Sequence, residues 1–385
     1  MKQTATWKLK GTLFFFHATM TIIISYLPVY FQYLGLEPGE IGILLAVGPA
    51  AAILAQPFWG FMSDKWKTVR KILLLCLTSG LIIGFFLFQL SEYLLIIPII
   101  FLFFAFLSPA GGLGDSLAQK VAVSRGVSFG SIRMWGSLGF ATSSLVSGYL
   151  LSIIGIEFIY SVFALLLTIA IVFAFLSPDS EPSKKPVYLS QVGQLLKEKR
   201  LLVFLLFILS ISLTHRMNDN YMGLYIVELG ADEATIGLAW FIGVLAEAIV
   251  FATSAIWLAR FKPLTLIMFA AFLYVIRWGI MFIVPDASYV LAIQALHGLA
   301  FATFYLTGFQ FVSRLVPSEL ESTGHLLFIS VFFGLSGVIG SLIGGTVIQA
   351  FDVRSLYAVM AGLAFIGFIA SILYRHYYTE KKVAT

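Results

Sequence analysis

Charge is what this sequence has least of: Asp, Glu, Lys and Arg make up 11% of its 385 residues, against 60% hydrophobic. A water-soluble globule carries about 25% charged residues, so composition excludes that class and leaves a polytopic membrane protein. Cysteine is rarer still. The lone Cys76, inside an apolar run, excludes a disulfide framework and a thiolate metal site. Strict apolar/polar alternation is also missing; continuous runs such as LLIIPIIFLFFAFL mark helices and exclude a membrane barrel. There is no phosphate-binding loop of the Walker type, so nothing here binds ATP in that way. His17, His215, His297, His325 and His376 are scattered without the spacing of metal ligands, and no nucleophile set recurs. Nothing points to an enzyme. The first apolar run, Leu13 to Tyr33, has full spanning length with no small-residue cleavage site after it, which argues against a cleaved leader.

What is present is a long series of spanning runs. Crossing a bilayer takes about 20 apolar residues in a helix. Such runs fall at about 9–34, 39–62, 70–90, 93–120, 128–153, 157–177, 201–228, 234–258, 263–284, 287–313, 322–349 and 353–376, predicting an all-α membrane protein of 12 transmembrane helices. The connectors alternate in chemistry. One set is basic, with Lys65, Lys67, Arg70 and Lys71, then Lys120 and Arg125, Arg260 and Lys262, and Arg314; the other is acidic, with Glu37, Glu40, Glu92, Glu157, Asp232, Asp286 and Asp352. Positive residues stay on the cytoplasmic side, so both termini are expected there. The net charge of +5 is thereby a topology signal and gives no reason to expect a nucleic-acid partner.

The longest polar stretch, Ser177 to Arg200, divides the chain into an N-terminal six-helix bundle at 1–177, a cytoplasmic linker at 178–200 and a C-terminal six-helix bundle at 201–385. The halves echo each other. LGLEPGEIGIL from Leu34 returns as LGADEATIGLA from Leu229, and YSVFA from Tyr160 returns as YAVMA from Tyr357, at nearly equal offsets. Two six-helix repeats related by an axis along the membrane normal describe a rocking carrier with its site near the midplane.

Charges lie inside the spans as well. Asp115 is in the fourth and Arg133 in the fifth; the seventh carries THRMNDN with His215, Arg216 and Asp219; Glu247 is in the eighth, Arg277 in the ninth, Gln294 and His297 in the tenth. A charge at the bilayer centre costs about 2.5–3.5 kcal/mol on insertion scales, so such groups pair or line a polar cavity. The expected pairs are Asp115 with Arg133, and Asp219 or Glu247 with Arg277. Helix packing alone is the plainer account of these pairs; their clustering at one depth in both halves weighs against it.

Between the second and third spans, GFMSDKWKTVRK places Gly60, Asp64, Lys65, Arg70 and Lys71 in a pattern that resembles the hairpin signature of the major facilitator superfamily. The resemblance implies a conformational latch there, with Gly60 allowing close helix approach. GDSLAQKVAVSRGVSFGSIRMWGSLGF further resembles the lactose-permease branch, which holds oligosaccharide, nucleoside and phenylpropionate proton symporters. That resemblance implies substrate binding by Asp115, Arg133, Phe140, Asp219, Arg277, Gln294 and His297. Phe140 stands where the lactose permeases stack a sugar on tryptophan, and Ala300 where they keep a proton-carrying glutamate. Gln294 replaces a lysine, and Glu247 lies one turn after the position of the family's helix-eight glutamate. Proton coupling is then expected through Glu247, Asp219 and His297, since burial raises a carboxyl pKa and protonation discharges the site.

The implied function is a secondary active transporter, a proton-coupled symporter importing a small polar solute, sugar-like or aromatic-acid-like, by alternating access. It would sit as a monomer in the lipid bilayer of the plasma membrane, with protons as coupling ion, no other cofactor and no metal. Proton-driven efflux of drugs or metabolites stays open, as does a non-transporting receptor or scaffold.

Overall fold

The computed structural model describes residues 6–127, 129–179, 195, 197–317 and 320–379; most of the predicted linker, 178–200, lies outside them. Among the described residues twelve helical stretches are long and apolar enough to cross a membrane. The helices are α1 Thr6–Tyr33, α2 Pro38–Lys65, α3 Val69–Leu87, α4 Tyr93–Arg125, α5 Phe129–Ile154 and α6 Ile159–Leu176. A second series follows: α7 Lys199–Glu228, α8 Glu233–Ala252, α9 Ser254–Arg260, α10 Pro263–Ile283, α11 Ala287–Leu315, α12 Glu321–Ile329, α13 Ser336–Ala350 and α14 Val353–Thr379. The predicted spans agree with these helices to within a turn or two.

Two departures have local causes. The eighth span was expected to run unbroken, but it stops after Ala252 and restarts at Ser254. The Thr253 hydroxyl donates to the carbonyls of Ile249 and Val250, and Trp257 Nε1 reaches Val250 O at 3.3 Å. Side-chain donors thus crowd carbonyls at the end of α8, a known origin of helix bending. In the eleventh span Ser330–Leu335 forms a π-helical segment between α12 and α13. Such segments carry one extra residue per turn and occur often at functional positions.

The chain separates into two compact units. One takes the described residues through Asp179 together with Ala231–Phe241; the other takes the described residues from Leu195 onward apart from that stretch. Within the first, α1 packs on α5 and α6, and α3 on α4 and α6. Within the second, α7 packs on α13 and α14, and α10 on α11 and α14. These are the same partners in the same order, as a duplicated six-helix unit requires.

Small residues set the closest crossings. Gly136, Gly139, Ser143, Ser144, Ser147 and Gly148 form a buried stripe on α5. A Cβ on Gly139 would lie 2.0 Å from Phe14 O, so α1 and α5 touch backbone to backbone. Short connectors are fastened by carboxylate caps: Glu37 and Glu40 form a reciprocal box at the start of α2, and Asp286 accepts from Ser288 N at 2.9 Å at the start of α11. Hydrogen bonds from Ser288 hold the Asp286 carboxyl below the usual carboxylate range, and Ser355 does the same for Asp352.

Candidate functional site

In the first unit Asp115 and Arg133 form an ion pair between spanning helices. α4 runs helically through Pro109 to Asp115, and α5 presents Arg133 beside it, with Arg133 Nε 3.0 Å from Asp115 Oδ1 and 3.2 Å from Oδ2. The side chains keep 34% and 38% of their exposure, so neither is sealed in the bundle. The terminal guanidinium nitrogens of Arg133 hydrogen-bond to nothing else among the described residues. Gly136, one turn along α5, leaves room for them: a Cβ there would sit 2.7 Å from Arg133 Nη1 and 2.8 Å from His17 Nδ1. The sequence offered no motif for His17; only the α1–α5 crossing brings it to the pair. Phe140, one turn beyond Gly136, meets Trp240 edge-on at 5.7 Å within the same unit.

The second unit holds a denser and drier group. Asp219 is 6% exposed, Arg277 fully buried, Gln294 2% and His297 3% exposed. The Asp219 carboxylate takes Arg216 Nη1 at 2.8 Å and lies 3.5 Å from His215 Nε2. These contacts follow from helical spacing, because residues three and four apart on α7 share a face. Arg277 was expected to pair with Asp219 or Glu247. Instead its Nη2 donates to Gln294 Oε1 at 3.1 Å, and its guanidinium carbon lies 4.3 Å from the centre of the neighbouring Trp278 ring. Arg216, on the same helix as Asp219, holds Oδ2 of that carboxylate, while Arg277 reaches across to Gln294 on α11. Arg277 Nε and Nη1, Arg216 Nε and Asp219 Oδ1 are buried without a hydrogen-bond partner.

Histidines and aromatic rings wall this group. His215 Nδ1 lies 3.1 Å from Tyr274 Oη, and the imidazole stacks on Phe301 at 4.5 Å and 4°. His297 is 5.4 Å from His215, nearly parallel. Phe332 and Phe333 of the π-helical segment approach from the other side, Phe332 at 5.8 Å from His215 and Phe333 at 6.0 Å from the Arg216 guanidinium carbon. Trp278 Nε1 is tied to Thr214 Oγ1 at 2.8 Å. Glu247 is half-buried on α8 next to this group: a Cβ on Gly298 would lie 2.1 Å from Glu247 N, so α8 and α11 cross in contact one residue after His297.

The hairpin signature behaves differently from a latch closed within its own bundle. Asp64 is exposed, and a Cβ on Gly60 would meet nothing within 4 Å. Gly60 therefore does not serve close helix approach here. The fastening runs instead through Arg70, whose N–H donates to Asp179 Oδ1 at 2.9 Å and whose Nη1 donates to Ser177 O at 2.9 Å. Thr68 Oγ1 caps α3 by accepting from Lys71 N. Asp179 carried no sequence signal because its partners are more than 100 residues away. Among the described residues no group of three or more His, Cys, Asp or Glu side chains could hold a metal ion.

A bundle of twelve spanning helices, duplicated and charged in its interior, defines a polytopic membrane carrier. The chain belongs to the MFS_1 like family of the major facilitator superfamily, whose profile matches residues 6–359. It is 29% identical to the maltose permease of Geobacillus stearothermophilus over 342 residues, 88% of this chain and 86% of that one. It is 26% identical to the probable 3-phenylpropionic acid transporter of Escherichia coli strain K12, over 83% of this chain and 84% of that one. The crystal structure of the nucleoside transporter NupG superposes with a TM-score of 0.88 at 18% identity, covering 97% and 99% of the two chains, which shows a shared fold. The protein is a multi-pass membrane transporter of this superfamily and not an enzyme.

Proposed function

We propose that this transporter imports a small polar organic solute, sugar-like or aromatic-acid-like, together with protons, by alternating access in the plasma membrane. The observation that carries the reading is the Asp115–Arg133 pair: an ion pair between two apolar spanning helices, about one third exposed on each side chain, with uncommitted guanidinium donors. A pair built only for packing would be buried and fully satisfied, because orphaned polar groups in hydrocarbon cost several kcal/mol each. Asp115 accepts from solute hydroxyls and Arg133 donates to solute oxygens, with Phe140 as an apolar wall. Asp219, Arg277, Gln294 and His297 form the second set, in which the unsatisfied donors of Arg277 and the acceptor Asp219 Oδ1 are matched to a polar solute or to water.

Asp219, Glu247 and His297 are the groups we assign to proton coupling. Protonating a carboxyl in this group removes the charge that holds it to its cationic neighbours, and that change favours one conformation over the other. No further cofactor or metal enters the cycle, and the working unit is a monomer with both termini cytoplasmic. Asp64, Lys65, Arg70 and Lys71 act as the latch that biases the rocking.

Transport assays on Asp115→Ala and Arg133→Ala test the central claim. Each is expected to lose at least about tenfold in uptake, since charged hydrogen bonds contribute about 1.5–3 kcal/mol apiece, while membrane insertion stays normal. Undiminished uptake in either variant would reduce the pair to helix packing. Counter-transport measured outward from loaded vesicles separates import from efflux.

A further inference from the structure

His17 is the one ionisable side chain in the middle of α1, flanked by FFF and ATM. Its Nδ1 lies 2.9 Å from Leu13 O. A carbonyl oxygen only accepts, so the ring must donate from Nδ1; in the neutral imidazole the proton then sits there and Nε2 is an acceptor. No described residue donates to that Nε2, and the ring is half-buried rather than sealed. The ring is held in place from two sides. Phe16 meets it edge-on at 5.2 Å, and the missing side chain of Gly136 lets His17 Cε1 and Arg133 Nη1 come to 3.0 and 2.7 Å of one point in space. The same point lies 2.8 Å from His17 Nδ1, so the Nδ1–Cε1 edge of the ring stands beside Arg133 Nη1 and the acceptor Nε2 is the next ring atom beyond Cε1; Arg133 in turn is anchored to Asp115 at 3.0 Å.

We infer that His17 is a third solute-binding residue of the first unit, with Nε2 accepting from an O–H or N–H of the solute whose neighbouring oxygen takes an N–H from Arg133. The inference rests on the reading that Asp115 and Arg133 bind the solute, and it narrows the solute class. A donor and an acceptor on adjacent atoms are what a vicinal pair of hydroxyls provides, on a pyranose or on a ribose. A simple carboxylate without hydroxyls satisfies Arg133 but leaves Nε2 desolvated and unpaired, and sites built for a hydrogen bond reject ligands that lack it. His17 neither pairs with a charge nor reaches another helix by hydrogen bond, so helix packing gives it no polar task.

The test uses the purified full chain, with binding of maltose, uridine and 3-phenylpropionate measured calorimetrically. Maltose and uridine separate a sugar from a nucleoside as the source of the hydroxyl pair; 3-phenylpropionate is the probe without one. At least one hydroxyl-bearing probe is expected to bind. His17→Asn keeps an amide at the Nδ1 position and removes Nε2, and should weaken that binding about tenfold. His17→Gln carries an amide oxygen out to the Nε2 position and should recover affinity to within about threefold of the parent. Melting of the unliganded variants checks the fold, with His17→Leu as the substitute should the Asn variant not fold. Parental affinity for the hydroxyl probe in His17→Asn overturns the inference, as does binding of 3-phenylpropionate alone or of no hydroxyl-bearing probe. Asp115→Ala and Arg133→Ala distinguish the two levels: if they bind normally the site reading falls too, whereas if they lose binding and His17→Asn does not, only His17 is removed.

Discussion

Arg277 is fully buried, yet two of its three guanidinium nitrogens have no hydrogen-bond partner. A buried charge left partly unsatisfied is costly, yet Arg277 belongs to the same balanced set as Asp219, Glu247 and Arg216, and removing one member of a buried ionic set strands its counter-charge. Arg277→Met is therefore expected to lower the melting temperature while uptake falls at least about tenfold, the effect of losing one charged hydrogen bond, and Arg277→Lys, which keeps the charge, is expected to restore the melting temperature more than the uptake. A melting scan paired with vesicle uptake reads both quantities. A variant that transported normally would show that Arg277 is structural in spite of its orphaned donors.

At the scale of helices, glycine is used where backbones meet and tolerated where they do not. Gly298 on α11 faces the backbone of α8, with Glu247 N and the Ala246 carbonyl carbon 2.1 and 2.3 Å from where its Cβ would be. Gly362 on α14 faces nothing within 4 Å. Gly298→Ala should cost about 1–3 kcal/mol, as overpacking does, because backbone cannot yield as a side-chain tip can. Gly362→Ala should be stabilising by up to about 1 kcal/mol, since alanine loses less chain entropy in a helix. Detergent-solubilised melting curves of the two variants give the comparison; equal shifts would contradict the close crossing. The Thr253 break and the π-helical segment interrupt two of these helices, and the latter brings Phe332 and Phe333 against the buried ionic group.

For the whole molecule, the question is how a proton gradient acts on solute movement. The second unit has its carboxylates on α7 and α8, Asp219 buried and Glu247 half-buried, among the cations Arg216 and Arg277. Taking up one proton on a carboxylate in such a balanced set leaves a net positive charge, which costs most where water is excluded. Release of that proton is thereby linked to a change in hydration of the group, the kind of differential free energy an alternating-access cycle needs. Glu247→Gln fixes one member in its neutral form. It is expected to permit solute exchange across vesicles while abolishing proton-driven accumulation, and undiminished proton movement would remove Glu247 from the coupling.

The amino-acid sequence by itself determined the class, the number of spans and their limits, because each rests on runs of about 20 apolar residues in which local composition is the whole cause. It also determined the Asp115–Arg133 neighbourhood, since one short connector joins their helices and forces the two to similar depth. Only tertiary structure decided who holds whom in the second unit. Arg216, one turn away on the same helix, holds one oxygen of Asp219, and Arg277 bonds Gln294 instead. Likewise His17 and Asp179 had no legible motif, for their partners are set by helix crossings and caps between residues more than 100 positions apart. Periodicity records the environment of a residue along its own helix; which foreign side chain completes that environment is written in the packing of helices against each other.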